Sequence, residues 1–580
     1  MTNLAFWTRP WWERYPDRLA LEIRELVKAG LQFTIDYDAR QAGAIKMAVD
    51  VPASITGLRD ISVQAIFPEL YPHFRPQIVA PKDLVLAHHL DPFGSDLCLV
   101  ERGSQMWSPD DCLAWLLKVQ LPKAIADAEM RDPNQAEPFS AYLTCVPNAV
   151  VMVETDRLPP ETVVHGTMKV STPKSYPAGE YHWLAATREF RWQGGDVKAS
   201  AAMDQFSENA VEASWVRLSD VPDTDEPAKL FALARKQLDQ DPVGFAIGDG
   251  HYCQLVAVLF PEEQADGATG SGIFFIISDV DTRPRAQRRR NKQWGKVRAP
   301  DVRLLRTSRT GASDLIARAP ELASAADRHV MIVGCGALGS TIADTVARAG
   351  IAALTLIDND ILDAGNLVRH TSTVHYVGLP KAAAVAHRAE AAHPGLVTHA
   401  FQRRIGSARV TSDKTEIERG IFPSDEIQDV DLVIDATAEI AVHEVLSAMC
   451  RDLGKTYICV EATPGAWGGV VSKYPPSADA CWNCLEHHLQ DGTLTMPTSD
   501  KGVRVQPPGC ADQTFTGAHF DLAEVALHGA RVAMVELMAG LTSTFSALDS
   551  VDLRNALGER ILPSWSTAEI TRHLSCGWHS

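Results

Sequence analysis

The chain contains no run of eighteen apolar residues, and Met1 to Tyr15 carries Trp and Arg but no apolar signal core. Neither a membrane span nor a secretory leader is expected. Cations are in deficit: 55 Lys plus Arg against 73 Asp plus Glu leave a formal charge of −18. That balance excludes a whole-surface nucleic-acid or anionic-membrane binder, while leaving room for a local basic patch. Cysteine is sparse, eleven in 580 residues, odd in number and irregular in spacing. A secreted disulfide scaffold is therefore not expected. No internal repeat is visible. These absences leave a soluble, cytoplasmic protein with reduced cysteines, free for chemistry or metal.

What is present is ordinary globular composition, 46% apolar and 22% charged. At roughly 100–200 residues per domain, the length calls for three to five domains. Composition shifts divide the chain at about 140 and 318, giving segments 1–140, 141–318 and 319–580. The first has an amphipathic helix pattern at Pro16–Ala29, strand-like runs at Leu31–Tyr37, Ile45–Val51 and Ile61–Phe67, and a Pro-rich stretch from Pro68 to Pro109. A second helix pattern, Asp110–Glu129, closes it. The second segment reads as mixed α/β, with strand candidates at Ala149–Val153, Tyr181–Ala186, Gln254–Phe260 and Ile273–Ile277. It ends in a cationic tract, Arg283–Arg309, with eleven Lys or Arg and one acid, Asp301. Such a tract is a solvated linker, or a docking strip for an acidic partner or phosphates.

The third segment carries the clearest chemistry. The apolar strand His329–Val333 runs into Gly334-Cys335-Gly336-Ala337-Leu338-Gly339, a helix pattern follows, and a second strand, Ala353–Ile357, ends at Asp358. The acid stands nineteen residues after the last glycine, the spacing of a Rossmann-type nucleotide site. Gly334 permits the tight turn, Gly336 lets phosphates approach the backbone, and Gly339 allows close helix–strand packing. Asp358 is placed to accept from ribose hydroxyls. A fingerprint alone would suggest a dinucleotide and hydride transfer. Asn366, Arg369 and Lys381, followed by a buried-looking strand ending at Asp435, suit magnesium–triphosphate chemistry instead.

The run D-N-D-x5-N-x2-R, then G-x-P-K and V-I-D, resembles the ThiF/MoeB/HesA family and the adenylation domain of ubiquitin-activating enzymes, over about residues 325–545. The resemblance implies a Rossmann-like domain that uses ATP and Mg2+ to adenylate the C-terminal carboxylate of a small ubiquitin-like protein, and it implies a homodimer. Carried over, Gly334, Gly336, Gly339, Asp358 and Asp360 belong to the nucleotide site, Asp358 holding the ribose. Asn366, Arg369 and Lys381 engage phosphates, and Asp435 the magnesium. The family's Cys-Thr-Asp-Asn is Ala436-Thr437-Ala438-Glu439 here, with Asp435 read as the retained metal ligand.

Cys481-Trp-Asn-Cys484 and Cys576-Gly-Trp-His579 together offer a structural Cys3His zinc site, with His487 or His488 as substitute ligands and a CxxC redox pair as the alternative. Cys510 lies in a loop before a helix pattern, His519–Gly540, where a thiolate is favoured. It is the candidate for the thioester of ubiquitin-activating enzymes, or else a fourth zinc ligand. At the other end, Phe67-Pro-x-x-Tyr71-Pro72-x-x-x-Pro76, Gly94-Ser-Asp-Leu97-Cys98-Leu99 and Trp107-Ser108-Pro109 resemble ubiquitin-conjugating enzymes over about residues 10–132. That resemblance implies an α+β domain with Cys98 as its thioester cysteine. The family's His-Pro-Asn is replaced by His88-His89-Leu90-Asp91-Pro92.

An activating and a conjugating domain on one chain resemble the fusion proteins of bacterial CBASS-type antiphage operons. There the resemblance implies a protein substrate with an exposed C-terminal tail (ubiquitin-like, or a cGAS-like nucleotidyltransferase) and a target amine. The expected architecture is α/β and α+β multidomain, with an α/β connecting domain between the two. Rival readings are a sulfur-carrier adenylyltransferase of thiamine or molybdopterin type, an NAD-linked oxidoreductase, and a nucleotide-binding scaffold without conjugation activity.

Overall fold

The computed structural model describes residues 4–86, 88–99, 107–128, 138–175, 177, 182–199, 209–247, 251–263, 269–281, 300–393, 395–406, 409–410, 417–418, 424–500, 504–505 and 514–579. The chain forms two compact units: Met1–Val153, Leu158–Val197 and Ser207–Ser308 make the first, and Glu154–Arg157, Lys198–Phe206 and Arg309–Ser580 the second. Cys510 and residues 283–299 of the cationic tract lie outside the described residues; the rest of the tract includes a strand, Asp301–Arg309.

In the first unit, the helix Pro16–Lys28 precedes an antiparallel meander of Gln32–Ile35, Ile45–Val51, Ile61–Phe67 and Gln77–Val79. Alternation sets its inner face: Ile45, Met47, Val49 and Val51 are buried, as are Ile61, Val63, Ala65 and Phe67 on the neighbouring strand. Helix and meander are joined at a buried ionic knot. Arg18 Nη2 meets Glu22 Oε1 at 2.8 Å, and Glu22 accepts from the Tyr71 hydroxyl and, through Oε2, from Leu113 N–H at 2.8 Å. Arg18 also donates to the carbonyls of Pro109 and Asp111, which holds the Trp-Ser-Pro turn against the helix.

The middle segment, expected as mixed α/β, is instead dominated by strands, and its sheet closes on itself. His251–Glu263 pairs with Thr269–Asp281 over their whole length, and Asp301–Arg309 follows. The ladder then passes through Ala149–Val153, Trp183–Trp192 and His165–Ser171 to Ala210–Arg217, which pairs back in parallel with His251–Glu263. Leu255, Ala257 and Leu259 fill the interior. Val256, Val258 and Phe260 pack outward against the helix Pro227–Gln237 and Phe139. Phe93, from the loop before Cys98, stacks edge-on to Phe139 at 5.6 Å, and Phe139 to Phe260 at 5.4 Å, so the N-terminal part is tied to the closed sheet.

The second unit is built on an eight-stranded sheet in the order Val397–Gln402, Ala353–Asp358, His329–Val333, Leu432–Asp435, Thr456–Ala462, Gly468–Tyr474, Ser546–Arg554, Arg560–Ile570. The first five strands are parallel and the rest antiparallel. Val330 and Ile332 face one core, with the helices Ala337–Arg348, Lys381–Ala392 and His519–Met538. Met331 and Val333 face the other, with Ile440–Asp452 and Trp482–Gln490. This doubly wound sheet reverses strand order beside His329–Val333, which places a crevice at the carboxyl ends of the central strands. Among the described residues no helix is long and apolar enough to cross a membrane.

Candidate functional site

The glycine loop sits at that crevice, and its backbone demands match the sequence reading. Gly334 has φ +88°, and a Cβ there would lie 2.7 Å from the Ala436 carbonyl carbon. At Gly339 a Cβ would stand 1.8 Å from the Gly334 carbonyl oxygen. At Gly336, the N-cap of Ala337–Arg348, it would meet nothing within 4 Å. That open side, at a helix N-terminus with unpaired N–H groups, is the seat a phosphate needs.

A cleft of about 190 Å³ opens there, lined by Gly334, Gly336, Asp358, Asp360, Lys381, Arg403, Arg404, Thr437 and Glu439 among others. Asp358 accepts from Cys335 N–H through Oδ2 and from Asp360 N–H through Oδ1, both at 2.7 Å. Burial raises its carboxyl above the usual range. Lys381 opens its helix with Nζ 2.8 Å from Asp360 Oδ2. Five expected residues are thus brought together.

Others are placed differently. Asn366 Oδ1 accepts from Asp363 N–H at 3.0 Å and completes a capping box on the turn Ala364–Val368. Arg369 is half-buried and not among the cleft-lining residues. Asp435, read as the magnesium ligand, is fully buried. Its Oδ1 accepts from Thr437 N–H and Oγ1, and its Oδ2 pairs with the Tyr457 hydroxyl and His443 Nδ1, all at 2.8–3.0 Å. With both oxygens engaged it faces the interior, and the acids facing the cleft are Asp358, Asp360 and Glu439.

Arg403 and Arg404 were missed. The available signal was a pair of cations directly after a strand at the carboxyl edge of a parallel sheet. Arg403 Nη1 is held by Glu426 at 2.6 Å, and Arg404 lies 3.9 Å from Glu439. His370 was also missed. It is buried, its Nδ1 accepts from Ser372 N–H at 3.0 Å, and its protonated Nε2 therefore donates to the Cys335 carbonyl at 2.9 Å. The imidazole thus pins the glycine loop in its neutral form. Burial pushes its pKa down to about 4 from 6.5. The unfolded imidazole takes a proton below about 6.5, the folded one only below about 4. Stability should fall as pH drops through that window, by at most ~1.4 kcal/mol per pH unit. In His370→Asn, the acid limb of melting temperature against pH is expected to flatten between those values. An unchanged limb would place the acid sensitivity on other groups.

Three further groupings lie in this unit among the described residues. The Sγ atoms of Cys481, Cys484 and Cys576 converge, 3.9 Å and 3.7 Å from Cys481. Tetrahedral zinc with bonds of ~2.3 Å requires sulfur–sulfur separations of about 3.8 Å, so the three thiols fit that metal. The His579 side chain lies outside the described residues, and His488 belongs to a neighbouring group with Asp491 and His573. Beneath the cleft, His443, Cys459 and Glu461 cluster beside Asp435. Burial pushes the Cys459 thiol up to about 12, which disqualifies it as a nucleophile at neutral pH.

In the first unit, Cys98 is half-buried just after a hairpin marked by the Leu90–Leu97 bridge, its N–H bonded to the His89 carbonyl at 2.9 Å. His88 is engaged on both nitrogens, by the Ala128 carbonyl at 2.8 Å and Glu263 at 3.0 Å. His89 adopts φ +65°, a strained conformation for a residue with a side chain.

A doubly wound sheet with a glycine loop, a strand-end Asp and a cation-lined cleft at its switch point is the architecture of a nucleotide-binding domain. Residues 312–559 match the ThiF family. The chain belongs to one family with the uncharacterized protein y4oA of Sinorhizobium fredii, with which it is 30% identical over 610 residues, covering 98% of this chain and 97% of that one. It is also similar to the ATP-dependent ubiquitin transferase-like protein Cap2 of Enterobacter hormaechei, 27% identical over 226 residues, 37% of this chain and 36% of that protein. The sulfur carrier protein ThiS adenylyltransferase of Escherichia coli is 28% identical over 160 residues, 27% of this chain and 58% of that protein. The second unit is accordingly a ThiF-family, ubiquitin-activating-like adenylation domain.

Proposed function

We propose that the chain activates the C-terminal carboxylate of a protein substrate as an acyl-adenylate and then conjugates it. The observation that carries the first half is the cleft itself, where the open side of Gly336, Asp358 and Lys381 meet at one helix N-terminus. ATP would lie with its phosphates over Gly336 and its ribose toward Asp358. The substrate carboxylate attacks the α-phosphorus, pyrophosphate leaves, and Lys381, Arg403 and Arg404 offset the charge that builds on the phosphate oxygens. Asp360 and Glu439 would hold a magnesium ion, which supplies charge neutralisation of the polyphosphate. Cys481, Cys484 and Cys576 would hold a structural zinc.

The second half rests on Cys98, half-buried after a helix-and-meander domain, and on the sequence context of Cys510. The acyl group passes from AMP to the Cys510 thiolate, then by transthiolation to Cys98. A target amine attacks the Cys98 thioester, forming an amide and releasing the thiol. The similarity to the ATP-dependent ubiquitin transferase-like protein Cap2 supports ATP-dependent transfer; the thiol order, an antiphage setting in the cytoplasm and a homodimer belong to the same proposal. The substrate is a ubiquitin-like or cGAS-like protein with an exposed C-terminal tail.

Incubation with ATP, magnesium and a candidate substrate encoded beside the gene tests both halves. Reductant-sensitive adducts lost in Cys98→Ala and in Cys510→Ala are expected. Pyrophosphate exchange without any adduct would favour the sulfur-carrier adenylyltransferase reading, for which the same cleft would serve. The absence of both signals would overturn the proposal.

A further inference from the structure

The buried cluster beneath the cleft has a feature that protein contacts alone do not satisfy. His443 is completely buried, yet its Nε2 has no hydrogen-bond partner among the described residues. On the other side of the ring, Nδ1 pairs with Asp435 Oδ2 at 2.9 Å. A carboxylate on Nδ1 fixes the proton there and leaves the Nε2 lone pair free, the arrangement that metal-binding imidazoles usually have. That lone pair looks toward Glu461 Oε1 at 3.4 Å, outside hydrogen-bond geometry. Two acceptors facing one another in a buried site repel unless a cation lies between them. The Cys459 Sγ completes the group, 3.7 Å from Glu461 Oε2 and 3.5 Å from His443 Nδ1, so it must swing toward Nε2 to share an ion with it. One ligand atom from each of the three residues lies within 4.8 Å of the others.

We propose that His443 Nε2, Cys459 Sγ and a Glu461 carboxylate oxygen bind a divalent ion of the zinc class, with Asp435 orienting the imidazole from behind. One nitrogen, one sulfur and one carboxylate suit zinc, and neighbouring ligand atoms in a tetrahedral zinc site stand about 3.3–3.8 Å apart. Glu461 Oε1 stands 3.4 Å from His443 Nε2 and its other oxygen, Oε2, 3.7 Å from Cys459 Sγ, so a turn of the carboxylate would let one oxygen serve with both. On coordination the Cys459 thiol gives up its proton to solvent, and Glu461, a quarter exposed, is the open side of the site. The ion ties together the ends of two neighbouring strands, where Asp435 stands opposite Cys459 in register, and the helix that carries His443. Val442, next to His443, lines the nucleotide cleft, so the ion braces one wall of it. This site accounts for Asp435 too: the acid acts on a metal, but through an imidazole and not on the polyphosphate side. The competing occupant of the same space is a second proton on His443, which would pair the imidazolium with Asp435 and Glu461 and require no ion.

The full-length protein, stripped by chelator and equilibrated against zinc alone, decides between them by metal counting after dialysis. Glu461→Gln and Cys459→Ala are each expected to hold one zinc per chain fewer than wild type, whatever the Cys481, Cys484 and Cys576 thiols bind. With cobalt as the probe, Cys459→Ala should lose one thiolate's share of the sulfur-to-cobalt absorption, while Glu461→Gln retains that sulfur only if cobalt still binds. Glu461 is partly exposed, so its variant keeps the test meaningful if Cys459→Ala does not fold. Equal zinc content in wild type, Glu461→Gln and Cys459→Ala would overturn the proposal, as would a single zinc lost only in Cys481→Ala.

Discussion

Lys381→Ala is expected to lower ATP–pyrophosphate exchange by 10²–10³-fold, an effect of ~3–4 kcal/mol on the barrier. The ammonium sits at the first residue of its helix, largely shielded at 13% exposure, with Asp360 as the partner shown. Its backbone N–H is bonded to the Asp360 carbonyl at 2.8 Å, so side chain and main chain are both registered on the same turn. Loss of the ammonium removes a fixed positive charge from a confined cleft, where it is worth far more than in water. The same change should leave the fold almost untouched, because Asp360 is more than half exposed and such a pair contributes only ~0–1 kcal/mol. Activity lost at constant melting temperature is therefore the expected signature. Lys381→Arg should recover part of the rate, since charge is kept and shape is not. A fall of less than tenfold in Lys381→Ala would remove this residue from phosphate neutralisation and leave Arg403 and Arg404 as the cations to test.

Lys381 lines the cleft and Asp435 does not, and the contrast shows what a motif's spacing can and cannot carry. The glycines were legible because each answers a backbone demand that no other residue meets: positive φ at Gly334, open approach at Gly336, and contact with the Gly334 carbonyl at Gly339. Asp435 is also a strand-end acid, but its direction is set by partners that lie 8 and 22 residues further on, His443 and Tyr457. Spacing within a motif carries no information about those. The closed middle sheet was hidden for a related reason. The strand His165–Ser171 has no clean alternation, holds a register shift between Lys169 and Val170, and is buried mainly at its far end. The central hairpin is buried on both faces and reads as a continuous apolar run, which fits an α/β or a closed β arrangement equally. By contrast, Ile45–Val51 and Ile61–Phe67 were found to the residue, because one face is core and the other is not.

Glu22→Ala is expected to destabilise the N-terminal part of the first unit by about 3–5 kcal/mol, the cost of breaking a buried pair on one side. Glu22 is fully buried and serves three donors, the Arg18 guanidinium, the Tyr71 hydroxyl and the Leu113 N–H. Its removal strands Arg18, whose own exposure is only 9%, and frees the N–H that starts the helix at Leu113. The Trp-Ser-Pro turn would loosen with it, because Arg18 holds the carbonyls on either side of Asp110. Yet the charge itself is costly. Burial pushes the Glu22 carboxyl up in spite of all the partners that favour its ionised form, so desolvation outweighs them. The two facts together predict a specific pattern. Glu22→Ala should be far worse than the double change Arg18→Met with Glu22→Leu, since apolar replacement of both partners removes the desolvation cost along with the attraction. Urea unfolding followed by tryptophan fluorescence suits the measurement, because Trp11 lies 4.7 Å and Trp107 6.2 Å from the Tyr71 ring. A double variant as unstable as Glu22→Ala would mean that the directional bonds to Tyr71 and Leu113, and not the stranded charge, hold the helix to the meander.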